Sequence, residues 1–248
     1  MRNLMLTISY DGTCYHGYQT QEGCITIQEV MEKTLSEIMK EEISVQGCSR
    51  TDAGVHARRY VMNFCTSCNI PSDRVAIALN TKLPSDIVAL SCGEVREEFN
   101  SRFDTQSKTY KYFINNSSYD VFKRDFQWYI SRKLDVEKMI EASKHLVGYH
   151  PFDSFMAAGC QVKDTRRNIN FLNVENNNGI IEITINADGY LYNMVRIIAG
   201  TLVGVGLGRF RPDEIKDIIE AKDRTKAGVT APARGLYLWE VFYEEDKL

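Results

Sequence analysis

The feature that most constrains the fold is a recurring alternation of apolar and polar residues along short segments. In the first of these segments, every second residue from Leu4 to Tyr10 is apolar. A period of two is typical of a β-strand with one face turned toward a core. The same kind of pattern predicts further strands at 43–46, 60–66, 87–95, 109–115, 169–174, 180–187 and 236–243.

Stretches with helical spacing lie between these segments. Thr26 and Glu29 have the spacing of a capping box, which predicts a helix that begins near Ile27. Further helices are expected at 72–80, 136–147 and 190–205, and another just after Pro212. Helices are interspersed with hairpin-like strand pairs, without a strict strand–helix–strand rhythm. The sequence therefore predicts an α+β fold with largely antiparallel or mixed sheets.

The domain organisation follows from the recurrence of this pattern. A length of 248 residues fits one large domain or two small ones. Both parts of the chain contain strands and helices, which predicts two α+β halves of similar size, 1–104 and 105–248. No linker rich in Pro, Gly or Ser separates them, so a continuous sheet is compatible with the sequence.

Charge and hydropathy limit the classes of partner. With 33 acidic and 30 basic residues the net charge is −3, which excludes a basic field over the whole surface. A nucleic acid would therefore have to bind a local group of cations. No apolar run approaches the ~18 residues that span a bilayer, and the first residues lack a signal-peptide pattern. We expect a soluble, cytoplasmic protein without a membrane partner.

The first chemically unusual segment is the polar loop from Gly47 to Ala57, which places Asp52 between Arg50 and Gly54. Gly54 permits a turn with positive φ. Asp52 could simply accept a hydrogen bond within that turn. For an isolated Thr-Asp-x-Gly sequence this structural role is the favoured interpretation.

The second unusual segment combines aromatic and basic residues on a predicted strand. Tyr110 and Tyr112 share one face with Lys108, and Lys111 lies on the other. Aromatic rings interleaved with cations suit nucleobases and phosphates. A strand with a solvated edge would have the same composition, and for this segment alone it is the favoured alternative.

The third unusual segment, Asp188 to Arg196, places a cation in an apolar helical stretch. A buried guanidinium requires a partner, and a carboxylate elsewhere in the chain would serve. Alternatively, Arg196 could extend along the helix so that its charged end reaches solvent. The residues leave both possibilities open.

Taken together, these segments resemble the TruA family of tRNA pseudouridine synthases. The loop is similar to the family signature Gly-x-Gly-Arg-Thr-Asp-Ala-Gly-Val-His-Ala, which is highly specific. The resemblance covers the whole chain, with further similar segments at 10–21, 101–112, 189–196 and 231–238. It implies the pseudouridine synthase fold, in which the two halves meet at a central cleft.

The resemblance also implies an enzyme that isomerises uridine to pseudouridine at positions 38, 39 and 40 of the tRNA anticodon stem-loop. Asp52 would be the catalytic aspartate. Arg50 would enter the helix stack and hold open the space left by the flipped uridine. Tyr110 would pack against the target base, Arg196 would pair with Asp52, and Leu236 would line the base pocket.

No cofactor is expected, because the isomerisation involves no net oxidation. No metal is expected either, because Cys65 and Cys68 lack a second pair of ligands. A metal-dependent hydrolase that uses Asp52 and His56 is a weak alternative, since the loop offers no further ligands.

The RNA would be held by local cations. The candidates are Arg58, Arg59, Lys108, Lys111, Lys163, Arg166 and Arg167. Each of them could equally be a solvated surface charge. The resemblance further implies a homodimer in which one tRNA contacts both subunits, which would let an acidic chain build a basic cleft.

The sequence departs from the family pattern at four positions: Ser49, Tyr18, Thr20 and Pro151. None of these removes a predicted reactive group, so they bear on the choice of substrate rather than on the reaction. Two alternatives follow: a divergent paralogue that modifies other RNA uridines, and a non-catalytic RNA-binding or RNA-folding protein.

Overall fold

The computed structural model describes residues 1–159 and 162–244. It confirms the α+β class. The ten strands in the described residues are β1 (Arg2–Tyr10), β2 (Gln46–Gly47), β3 (His56–Thr66), β4 (Ile87–Val95), β5 (Thr105–Asn115), β6 (Trp128–Tyr129), β7 (Gly148–Pro151), β8 (Arg166–Asn177), β9 (Ile180–Ala187) and β10 (Leu236–Tyr243). The α-helices are α1 (Ile27–Met39), α2 (Ser72–Asn80), α3 (Val136–Ser143), α4 (Met194–Gly206) and α5 (Glu214–Ala221).

The chain forms two compact units. The first comprises Met1–Gln106 together with the segment that begins at Tyr237, and the second comprises Ser107–Leu236. The first unit is thus built from two separate stretches of chain.

In the first unit the strand order is β4–β1–β3–β10. Strand β1 pairs antiparallel with β3 and with β4, whereas β10 runs parallel to β3. Leu4, Leu6 and Ile8 are fully buried, as the alternation predicts. Burial of each such side chain contributes about 1.5–3 kcal/mol to the free energy of folding. The Thr26 side chain accepts a hydrogen bond from the Glu29 amide, so α1 begins where the capping box predicts.

In the second unit the strand order is β5–β9–β8–β7, with antiparallel neighbours throughout. The predicted hairpin is present. Asn178 and Gly179 both have positive φ at its turn, which suits the right-handed twist of the two strands. Helix α4 is buried along its whole length except at Arg196, as expected for a helix inside a core.

Three predicted elements are wrong in part. The α-helix predicted at 136–147 ends at Ser143, and a single 3-10 turn, Lys144–Leu146, follows it. The strand predicted at 43–46 is absent before Gln46, although Ile43 and Val45 are buried, because burial alone does not require a paired neighbour. The helix predicted from residue 190 begins only at Met194. Asn193 has φ +60, and this left-handed conformation separates the helix from the preceding turn.

Candidate active site

The loop that carries Asp52 connects β2 to β3 and contains a tight turn. The Val55 amide donates a hydrogen bond to the Asp52 carbonyl at 3.1 Å. Gly54 has φ +74, so the turn needs a residue that accepts a left-handed conformation. Asp52 is half-buried and Arg50 is exposed. The carboxylate therefore sits at the start of a well-defined turn and remains within reach of solvent.

The segment after β1 fixes this loop through main-chain hydrogen bonds. The Tyr18 amide donates to the Thr51 carbonyl at 3.1 Å, and the Gly54 amide donates to the Tyr15 carbonyl at 3.2 Å. Between these two contacts, Gly17 has φ +86. The segment at 10–21 and the loop thus form one packed structure.

His56 lies at the base of the loop and is buried. Its Nδ1 accepts a hydrogen bond from the Gly12 amide at 3.1 Å, and an Asp11 carboxylate oxygen lies 3.1 Å from the same nitrogen. The imidazole stacks on Tyr237 with ring centroids 4.6 Å apart. These contacts give His56 a role in joining the turn after β1 to β10. Within the described residues, no group of three or more His, Cys, Asp or Glu side chains is placed to hold a metal ion.

Tyr110, on β5, is buried and meets a second tyrosine that the sequence reasoning did not single out. The Tyr190 ring stands edge-on to Tyr110, with centroids 4.9 Å apart and an interplanar angle of 81°. The Tyr190 hydroxyl donates to the carbonyls of Lys108 and Ile185 at 2.8 and 3.1 Å. Burial raises the pKa of Tyr190 well above its ordinary value, so this hydroxyl keeps its proton. Tyr190 therefore fixes the orientation of the Tyr110 ring.

Arg196 is held by oxygens on two sides. Its Nε donates to the Ala231 carbonyl at 2.7 Å, and one terminal nitrogen donates to the Asn193 side-chain oxygen at 2.8 Å. The Ala231 amide in turn donates to the Arg196 carbonyl at 3.0 Å. The guanidinium is thus fixed rather than extended freely into solvent. Asn193 was missed because its role depends on a left-handed backbone. The available signal is the asparagine just before the apolar run, because asparagine adopts positive φ more often than most other residues.

The remaining candidates differ in their surroundings. Leu236 is buried at the start of β10. Arg59 lies 2.9 Å from a Glu240 oxygen, and Lys111 lies 2.5 Å from a Glu182 oxygen. Arg58, Lys163 and Arg166 are exposed, while Lys108 and Arg167 are half-buried. At least two of the predicted cations are therefore already neutralised in part by carboxylates.

The second unit also contains a cavity of about 540 Å³. It is lined by α4 residues and by the rings of Trp128, Tyr129 and Phe210. None of the predicted site residues lines it. The cavity therefore does not identify the reaction site.

Comparison with known proteins decides the family. A profile described as tRNA pseudouridine synthase matches residues 6–104 and 142–244. A tRNA pseudouridine synthase A of Thermoanaerobacter sp. (strain X514) is 46% identical over 98% of this chain and 100% of its own. The chain belongs to the TruA family of tRNA pseudouridine synthases. The resemblance predicted from the sequence is thereby confirmed.

Other relatives are also similar to this chain over nearly its whole length. A tRNA pseudouridine synthase A 2 of Clostridium tetani is 49% identical over 98% of this chain and 99% of its own. A tRNA pseudouridine synthase A of Bacillus pumilus is 45% identical over 96% and 98%. Among solved structures, a Cbf5-Nop10-Gar1 complex has a TM-score of 0.40 and 11% identity over 97% of this chain and 50% of its own. That likeness is too small to support a conclusion about function.

No helix in the described ranges is long and apolar enough to cross a membrane.

Proposed function

We propose that this chain isomerises uridine to pseudouridine at positions 38, 39 and 40 of the tRNA anticodon stem-loop, with Asp52 as the catalytic residue. Membership of the TruA family establishes the class of reaction, the conversion of uridine to pseudouridine in tRNA. The positions and the roles of individual residues are the proposal. It is supported most directly by the placement of Asp52, half-buried at a fixed turn inside the matched part of the chain.

The chemistry requires a carboxylate at a fixed position. The bond between C1′ and N1 of the uridine breaks, the uracil turns, and a bond forms between C1′ and C5. N1 gains a proton and the hydrogen on C5 is released, so the isomerisation is redox-neutral and needs no cofactor. An ionised Asp52 would act as a nucleophile or would remove a proton from the sugar.

The target base must first leave the helical stack, which costs a few kcal/mol. Arg50 is exposed on the loop, and its planar guanidinium would occupy the vacated space and contact phosphate. We assign the face of Tyr110 to the flipped uracil and Leu236 to the apolar side of the base pocket. Arg196 would pair with Asp52.

The proposal divides the work between the two halves named from the sequence. The part at 1–104 would supply the catalytic loop, and the part at 105–248 would supply the groups that complete the substrate site. Arg58, Lys163 and Arg166 are exposed, and we assign these three cations to phosphate contacts. We propose that the protein is cytoplasmic. Because its net charge is −3, we also propose a homodimer in which cations of both copies hold one tRNA.

The first test is release of tritium from uridine labelled at C5 in unmodified tRNA, with wild type and Asp52→Asn side by side. We expect release by wild type and none by Asp52→Asn, with tRNA affinity changed less than about threefold, because the amide keeps the shape but not the charge. Release by Asp52→Asn would overturn the catalytic assignment. Retained binding without release by either protein would favour a non-catalytic role.

The positions are tested with tRNAs in which uridines 38, 39 and 40 are replaced by cytidine. Release should then stop. Continued release would indicate a paralogue that modifies other uridines, and the departures at Ser49, Tyr18, Thr20 and Pro151 would be the residues to examine.

A further inference from the structure

Beneath the Asp52 loop lies a cluster of three tyrosines, Tyr10, Tyr18 and Tyr60. All three are buried, with 4%, 4% and 0% of their surface exposed. The Tyr18 and Tyr60 rings stack with centroids 4.5 Å apart, and Tyr10 packs against Tyr60 at 5.7 Å. Because the rings come from β1, from the segment after it and from β3, each is fixed by a different part of the unit.

Two hydroxyls of this tyrosine cluster bind the loop immediately before Asp52. The Tyr60 hydroxyl donates to the Ser49 carbonyl at 2.5 Å and lies 3.4 Å from the Ser49 amide, which donates to it. The Tyr10 hydroxyl lies 2.8 Å from the Thr51 hydroxyl. Burial raises the pKa of Tyr60 well above its ordinary value, so it remains a donor throughout the working range of pH. Ser49 and Thr51, the residues on both sides of Arg50, are therefore hydrogen-bonded to the tyrosine cluster.

The backbone at Gly47 passes so close to the cluster that the rings have no room to move toward it. A Cβ atom at this position would lie 2.2 Å from the Tyr60 hydroxyl oxygen and 2.4 Å from Tyr18 Cζ. These are distances at which atoms clash. The cluster is thus confined on the side where the chain enters the loop.

From this geometry we infer that Tyr60 and Tyr10 are positioning residues, whose hydroxyls hold the loop so that Asp52 faces the substrate. The inference rests on the proposed catalytic role of Asp52. Small displacements of a reacting group can cost up to about a hundredfold in rate. Since Tyr60 binds main-chain atoms of residue 49, this device is compatible with serine at a position where the family usually has glycine.

The test is Tyr60→Phe, which removes one oxygen and keeps the ring. We expect kcat on unmodified tRNA to fall about ten- to hundredfold, while KM and the Kd for tRNA change less than about twofold. Tyr243→Phe is the matched control, because the Tyr243 hydroxyl also donates to a carbonyl, that of Ser101, at 2.7 Å in the same unit. The control should lose a similar amount of Tm but keep kcat within about twofold.

A double-mutant cycle tests the second hydroxyl. If Tyr10 acts through Thr51, then Tyr10→Phe combined with Thr51→Val should lower kcat no further than the more damaging single change. Multiplicative losses in kcat would show that the two residues act separately and would overturn the assignment of Tyr10.

Full kcat in both Tyr60→Phe and Tyr10→Phe, with only a lower Tm, would overturn the inference. So would an equal loss of kcat in Tyr243→Phe, since the effect would then follow stability in general. An active Asp52→Asn variant would instead overturn the proposed function. Inactive Asp52→Asn together with fully active Tyr60→Phe and Tyr10→Phe would leave that function intact and remove only the positioning role.

Discussion

At the scale of single residues, the Asp52 loop depends on a close approach of two backbones. Gly17 has φ +86, and a Cβ there would lie 2.5 Å from the Thr51 carbonyl oxygen. The same added atom would lie 3.1 Å from the carbonyl carbon of Asp52. Any side chain at position 17 would therefore press on the residue that we assign to catalysis.

Replacing Gly17 by alanine should harm both stability and turnover. Left-handed strain costs about 1–2 kcal/mol, and the clash adds about 1–3 kcal/mol. Gly23→Ala is the matched control, because Gly23 has φ +74 but nothing within 4 Å of an added Cβ. Urea denaturation should show a larger loss for Gly17→Ala, and kcat should fall only in that variant. Equal losses in the two proteins would contradict the role given to the close approach.

The turn at Gly54 could be predicted from the sequence, because Thr-Asp-x-Gly is a local turn signal. The roles of Tyr60 and Tyr190 could not be predicted. The Tyr60 hydroxyl binds the Ser49 carbonyl and the Tyr190 hydroxyl binds the Lys108 carbonyl, and each pair comes close only in the fold. Neither tyrosine has a local sequence signal that indicates which carbonyl its hydroxyl reaches. The pairing of Arg196 with Asp52 stays a prediction.

At the scale of secondary-structure elements, boundaries could be predicted where a residue such as proline interrupts the chain locally. Helix α2 and strand β4 have the predicted bounds, since Pro71 and Pro84 interrupt the chain before them. Helix α4 begins four residues after the predicted start, because the apolar periodicity continues through the left-handed Asn193. Hydrophobic periodicity indicates which side chains are buried, but it contains no information about the sign of φ.

The end of β3 is held by one carboxylate. Glu41, after α1, accepts hydrogen bonds from the Ser67 hydroxyl at 2.5 Å, from the Ser67 amide at 2.9 Å and from the Thr66 hydroxyl. The hydroxyls of Ser67 and Thr66 lower the pKa of Glu41 from 4.5 to about 2. The ionised side chain therefore ties the loop after α1 to the last residue of β3.

This contact predicts a pH-dependent difference in stability. Because the folded pKa is depressed, ionised Glu41 stabilises the fold above about pH 4.5, and the effect is lost as pH falls toward 2. Glu41→Gln should therefore lower Tm at pH 7, by an amount that shrinks between pH 4.5 and 2. The same scan on Glu42→Gln, at the exposed neighbouring position, should show little change. A difference that stays constant down to pH 2 would contradict the assignment.

At the scale of the whole molecule, an acidic chain has to bind a polyanion through a few well-placed cations. Arg58 and Arg59 are adjacent on β3 and both exposed. Among the described residues, Arg59 forms an ion pair with Glu240, whereas Arg58 forms none. Family and fold class could be predicted from the sequence because many local motifs occur in the right order. The partners of individual charges could not, since Glu240 is far from Arg59 along the chain.

The contrast between the two arginines is measurable in the salt dependence of tRNA binding. If Arg58 contacts a phosphate, Arg58→Ala should reduce the slope of log K against log salt by about 0.7–0.9. Arg59→Ala should reduce it less, because part of its charge is already neutralised by Glu240. Equal slopes for Arg58→Ala and wild type would remove Arg58 from the RNA-binding surface.

The parallel pairing of β10 with β3 has a consequence for synthesis. His56 stacks on Tyr237, so the surroundings of the Asp52 loop are completed by a residue translated long after the loop itself. Domains generally fold as their sequence leaves the ribosome, N-terminal parts first. Here the first unit has to wait while all of Ser107–Leu236 is made. If Asp52 is the catalytic residue as proposed, a nascent chain that carries the Asp52 loop but not yet Tyr237 would therefore be inactive toward tRNA at its own ribosome.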